Sequence, residues 1–179
     1  MQIIVGLGNP GKKYEQTRHN VGWLALDYVL KKFDAPGAEQ KKFDAVIREV
    51  RTAAGDKALF VYPQTFMNDS GKSVAEILNF YKLSPATLLV LHDEVDLPLG
   101  VLRFTENSSS AGHNGVQSII DALGTNEFRR LRIGIETRTD KTIPTTYDFV
   151  LQEFPADELA KIPFDAIEAR VLLELRPKK

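Results

Sequence analysis

The chain has no cysteine among its 179 residues. That removes disulfides, a thiol nucleophile and Cys-ligated zinc, and it fits a reducing compartment. Histidine occurs three times, an ordinary number for this length. An excess of one charge sign is also missing. Lys and Arg number 23 against 24 Asp and Glu, a net charge of −1, whereas nucleic-acid binders are often basic overall. No apolar run reaches the ~18 residues that a membrane-crossing helix needs. The opening "MQIIVGLG" starts a strand at once, with no basic segment and no small-residue cleavage site, so no secretory leader is expected. Together these absences predict a cytoplasmic protein without a membrane partner. There is no internal repeat, low-complexity tract or long linker, and the length suits one domain over 1–179.

What is present is an alternation of strand-like and helix-like segments. Strand patterns lie at 2–7, 43–50, 58–62, 88–92, 101–104 and 131–136. Helical spacing appears in Val21, Leu24, Ala25, Tyr28 and Val29, in Val74, Ile77, Leu78 and Tyr81, and in Val116, Ile119, Ile120 and Leu123, the last closed by Gly124. Phe164, Ile167, Val171, Leu172 and Leu175 mark a final helix. This order predicts an α/β fold, a three-layer globule whose twisted, mixed and mostly parallel sheet is flanked by helices. "IIVGL" and "LLVLH" are apolar throughout and belong at the sheet centre. "FDAVIREV" alternates, which suits a position nearer an edge, antiparallel to its neighbours.

The first strand runs into "GLGNPG", a literal G-x-G-x-x-G. A dinucleotide site needs a helix opening inside those glycines, so that its N–H groups meet the pyrophosphate. Pro10 interrupts the stretch, helical periodicity starts only at Val21, and no acidic residue ends a second strand at the required distance. The glycines read instead as a tight turn, with Asn9 presented beyond the strand. No cofactor is expected.

Other strand ends carry polar residues as well. "ALFVY" leads to Asn68, "LLVLH" to His92, Asp93, Glu94 and Asp96, "SSSAGHNG" to His113 and Asn114, and "TRHN" supplies Arg18, His19 and Asn20. Singly, Asn20, Asn68 or Asp69, and Asn114 read equally well as helix caps. Collectively they form a set suited to hydrolysis by activated water: an imidazole as base, a carboxylate to orient it, and amides to donate to an oxyanion. There is no H-E-x-x-H, and "SSSAG" lacks the G-x-S-x-G elbow, so neither a metal nor a serine nucleophile is expected.

The stretches "VGLGNPGKKYEQTRHNVGW", "PQTFMNDSG", "HDEVDLPLGVLRF", "AGHNGVQSII" and "FRRLRIGIE" resemble, in order and spacing, the bacterial peptidyl-tRNA hydrolase family over nearly the whole chain. The resemblance implies a monomeric enzyme that cleaves the ester between peptide and tRNA in peptidyl-tRNA. It implies His19 as the base that activates water and Asp93 as its support. It implies Asn9 as the residue that tells N-blocked from free aminoacyl-tRNA. Tyr14, Phe66, Asn68 and Asn114 match substrate-contacting positions, and His113 one that shapes the pocket. Lys12, Lys13, Arg18, Arg103, Arg129, Arg130 and Arg132 are expected to supply local phosphate contacts. Two stretches depart from the family pattern. "TENSSSAGHNG" has fewer glycines, and "ETRTDKTIPTTYDFV" replaces the glycine and short basic turn that usually follow "LRIGI".

Overall fold

Strands that are apolar on both faces need cover on both faces, and helices with one apolar stripe supply it. The computed structural model describes residues 1–33, 38–52, 54–140 and 144–176. Its strands are β1 (Gln2–Gly6), β2 (Gln40–Lys42), β3 (Ala45–Arg51), β4 (Lys57–Pro63), β5 (Leu88–Pro98), β6 (Leu102–Glu106) and β7 (Arg129–Glu136). They form one sheet in the order β2-β3-β4-β1-β5-β7-β6. The central strands β4, β1, β5 and β7 are parallel, and the flanking pairs are antiparallel. As its alternation suggests, β3 is antiparallel. It lies one place in from the edge, because three-residue β2 covers it; that strand is too short to show a period.

Helices α1 (Val21–Leu30) and α6 (Phe164–Glu174) cover one face. Val21, Ala25, Leu26, Val29, Ile167 and Val171 pack there against Ile4, Phe60, Leu89, Leu91 and Leu131. On the other face α2 (Ser70–Tyr81) and α3 (Asn114–Leu123) bring Val74, Ile77, Val116 and Ile119 against Ile3, Val5, Leu59 and Val90. The result is the expected three layers. Gly124 ends α3 in the left-handed region, φ 67. Two short helices were not legible from periodicity, α4 (Thr146–Val150) and α5 (Ala156–Leu159). The last three residues of "RPKK", and 141–143 within the second departure, lie outside the described residues.

Two strands differ from expectation in ways that matter for the site. β5 does not stop with its apolar run but continues through His92, Asp93 and Glu94, all buried. β7 starts at Arg129, two residues before 131, so Arg129 and Arg130 are strand residues in the interior.

The glycines of "GLGNPG" serve contact between β1 and α1. A Cβ on Gly6 would lie 2.5 Å from the Gly22 carbonyl oxygen, and one on Gly8 would meet the Trp23 ring at 2.9 Å. Gly22 is enclosed by backbone alone: its Cβ would lie 2.4 Å from the Leu91 oxygen and 2.6 Å from the Leu7 nitrogen. Gly22→Ala is therefore expected to lower unfolding free energy by about 3 kcal/mol or more, since backbone cannot yield as a side-chain tip can. The urea midpoint measures it.

His92 is wholly buried, and burial holds its imidazole well below the ordinary histidine range, with His113 and Arg130 adding to the effect. The folded chain thus refuses a proton that the unfolded chain accepts near pH ~6.5. This contribution to stability is intact above that pH and is lost as pH falls, at up to about 1.4 kcal/mol per pH unit. His92→Phe is expected to flatten the fall in urea midpoint between pH 7 and pH 5 by up to that slope.

Candidate active site

In an open α/β sheet, side chains converge beyond the C-terminal ends of the strands, where the chain crosses over to opposite faces. Here α1 covers one face and α2 the other, and β1 lies between β4 and β5. Asn9 follows β1, Phe66 and Asn68 follow β4, and Asp93 stands on β5. A 3-10 turn, Arg18–Asn20, brings in His19, and the start of α3 brings His113 and Asn114. All eight residues singled out from the sequence line one cleft of about 540 Å³: Asn9, Tyr14, His19, Phe66, Asn68, Asp93, His113 and Asn114. Thr146, Tyr147, Val150 and Leu151, on or next to α4, complete its wall.

The centre of the cleft is Asp93. Its Oδ1 lies 2.8 Å from His19 Nδ1 and 2.8 Å from His113 Nε2. Burial alone would push this carboxyl up, but the electrostatic effect of His19 and His113 and the hydrogen bonds they donate outweigh it and hold it well below the usual carboxylate range. An ionised carboxylate only accepts, so both ring nitrogens facing it donate. His113 Nδ1 accepts the Val116 N–H at 3.3 Å, which caps α3 and agrees with the proton being on Nε2. In the neutral His19 ring the proton is then on Nδ1, and Nε2 is the acceptor. These three residues are the one His/carboxylate group close enough to ligate an ion among the described residues, with ligand atoms within 4.8 Å of one another. Those atoms point at each other as hydrogen-bond partners.

Asn9 is held on three sides. Its N–H donates to Asn20 Oδ1 at 2.8 Å, and its carbonyl accepts from Asn20 Nδ2 at 3.0 Å. Its own Oδ1 accepts the Met67 N–H at 2.8 Å. The Asn9 Nδ2 is thereby fixed in direction and has no side-chain or backbone partner among the described residues. Asn20 is thus a clamp, not a helix cap. Nothing local in the sequence distinguishes the two, since an asparagine before a helix serves either role. Asn114 is not a cap either, because His113 takes that role. Asn68 and Asn114 are exposed in the cleft, and their side-chain amides have no hydrogen-bond partner among the described residues. Phe66 is 57% exposed and meets Tyr14 edge-on at 6.5 Å.

The basic cluster needs correction. Arg18, Arg129 and Arg130 are buried and cannot reach phosphates. Arg18 donates to Glu158 at 2.6 Å and to the Glu153 carbonyl at 3.1 Å, and lies over Phe149. Arg129 pairs with Glu174 at 2.5 Å. Arg130 donates to Ser108 Oγ and the Ser109 carbonyl, and burial beside Arg132 brings it down to about 10. Arg132 pairs with Glu94 at 2.5 Å. Within "FRRLR", the alternation of strand faces is overridden by a stronger rule: a buried guanidinium must find partners, and each of these has found some. Lys12, Lys13 and Arg103 are exposed, as expected.

Residues 3–175 match the sequence model of the family described as peptidyl-tRNA hydrolase. The chain is 50% identical over 162 residues to the peptidyl-tRNA hydrolase of Brevibacillus brevis, covering 90% of this chain and 84% of that one. It is 45% identical over 168 residues to that of Lactobacillus gasseri, covering 94% and 88%. A crystal structure of peptidyl-tRNA hydrolase from Acinetobacter baumannii superimposes with a TM-score of 0.82 at 34% identity, over 97% of this chain and 85% of that one. Sequence and three-layer fold agree: the chain belongs to the peptidyl-tRNA hydrolase family and is a hydrolase.

Proposed function

We propose that this peptidyl-tRNA hydrolase cleaves the ester between peptide and tRNA with His19 as general base. The observation that carries this reading is the His19 Nδ1–Asp93 Oδ1 bond of 2.8 Å, which leaves Nε2 unprotonated in a cleft lined by unpaired amides. His19 Nε2 removes a proton from water as the oxygen attacks the ester carbonyl carbon. The carbonyl electron pair becomes an oxyanion, which accepts from an amide of Asn68 or Asn114. As the tetrahedral centre collapses, the ribose oxygen leaves and takes the proton back from His19. Asp93 stabilises the imidazolium that exists in between. An alkoxide is a far better leaving group than an amide's amine, so no covalent intermediate is needed.

Asn9 is the proposed discriminator. Its free Nδ2 suits the carbonyl of the first peptide unit. Free aminoacyl-tRNA has no such carbonyl and presents an ammonium, which also only donates. Two donors then face each other in a confined place, and a site of this kind rejects the wrong substrate strongly. Tyr14 and Phe66 offer aromatic surface beside it. The whole chain, 1–179, is proposed to act as one cytoplasmic, monomeric unit. No helix among the described residues is long and apolar enough to cross a membrane.

His19→Ala is expected to lower kcat on N-acetyl-aminoacyl-tRNA by roughly 10²–10⁴-fold. Asn9→Ala is expected to narrow the ratio of kcat/KM between blocked and free aminoacyl-tRNA. Full activity in the first variant, or an unchanged ratio in the second, would remove that residue from its role.

With Arg18, Arg129, Arg130 and Arg132 engaged by internal partners, exposed Lys12 and Lys13 beside Tyr14 are proposed for the tRNA backbone; Lys13 Nζ lies 4.7 Å from the Tyr14 ring centre. On whole tRNA, log(kcat/KM) should fall linearly with log[salt]. Replacing both lysines by alanine should reduce that slope by about 1–2. An unchanged slope in the double variant would mean that these lysines touch no phosphate.

A further inference from the structure

The apolar run Leu88–Leu91 of β5 is followed by a histidine that solvent does not reach. His92 Nδ1 donates to the Asp93 carbonyl at 2.7 Å. Its Nε2 is buried without a hydrogen-bond partner among the described residues. An unpaired buried nitrogen is unfavourable, and an apolar side chain would avoid it. Stability alone does not account for an imidazole here. The groups that act on it electrostatically are Asp93, His113 and Arg130; burial, His113 and Arg130 disfavour a proton on it, and the Asp93 charge only partly offsets them. The ring therefore stays neutral. It meets the His113 ring edge-on, 4.6 Å between centres and 69° between planes. His113 in turn lies 5.0 Å from the His19 ring and shares its carboxylate oxygen.

We propose that His92 is a positioning residue for the hydrolysis: its donor fixes the Asp93 main chain, and its ring stops His113 from turning, so that Asp93 Oδ1 stays aimed at His19. His92 does not line the cleft and acts only through Asp93 and His113. The inference rests on His19 being the base.

Two substitutions separate the contacts. His92→Asn keeps a donor near the Asp93 carbonyl and removes the ring. His92→Phe keeps the ring and removes the donor. Each is expected to lower kcat on N-acetyl-aminoacyl-tRNA roughly tenfold with KM unchanged, as a misaimed base does. In a His113→Ala background, His92→Asn should cause no further loss, because the ring it served is gone; a loss from general destabilisation would add in full. Wild-type kcat in either folded variant, or an undiminished loss without His113, overturns the proposal. Imidazole nitrogen NMR of the unmodified protein tests it without any variant. His92 should remain the neutral Nδ1–H tautomer as pH falls through the ordinary histidine range. Protonation of folded His92 within that range overturns it. If His19→Ala retains activity, the base assignment fails first; if that variant is dead and the His92 variants are fully active, only the present inference fails.

Discussion

One carboxylate oxygen organises this site. Asp93 Oδ1 accepts from two imidazoles at 2.8 Å each, and a carboxylate so deeply buried would otherwise take up a proton. Its charge survives because both neighbours donate to it. Three separate elements must then end in register. β5 must run past its apolar stretch, the turn 18–20 must deliver His19, and α3 must begin one residue after His113. Arg18 secures the second of these. Stacked on Phe149 and bonded to Glu158, it ties the turn to the C-terminal part of the chain, as does the bridge between Thr17 and Glu153.

Around this charged centre the site is built from amides. Asn9 is clamped through its main chain by Asn20 and through its side chain by Met67. An amide held this way offers a donor of fixed direction without ionising, and it needs little reorganisation when charge develops nearby. Asn68 and Asn114 carry the same group without a partner among the described residues. A clamped asparagine, two bare ones and a poised imidazole are a consistent set for attack by water on an ester.

The charge distribution follows from the same economy of partners. A chain with net charge −1 that acts on an RNA ester invites the idea that its clustered arginines face the nucleic acid. They are instead internal ties: Arg129 to Glu174, Arg132 to Glu94, and Arg130 to the serine loop that leads to His113. A guanidinium satisfies several acceptors at once and suits this interior use better than lysine. The solvated cations Lys12 and Lys13 sit in the 3-10 turn that ends with the cleft residue Tyr14.

Local pattern was enough for much of this molecule. Periodicity gave the three layers, the central strands and four of the helices, because burial on one stripe or two faces leaves a repeating trace. The glycine turn was legible as packing, since the helix that a cofactor loop requires was absent from the pattern. Eight residues that line the cleft could be named, but largely because long motifs resemble a known family. Elements of three to five residues left no period to read, which is why β2, α4 and α5 went unseen. Short-range sequence also could not say that Asn20 would bind Asn9 across 11 positions, that the arginines would turn inward, or that His19 and His113 would meet on one oxygen. Those outcomes depend on contacts between residues far apart in the chain, 74 positions for His19 and Asp93 and 140 for Arg18 and Glu158. The sequence by itself determined which surfaces had to be buried and which side chains could carry chemistry. Only the tertiary structure decided which polar groups would satisfy one another inside, because that choice is made among all donors and acceptors that folding brings within reach.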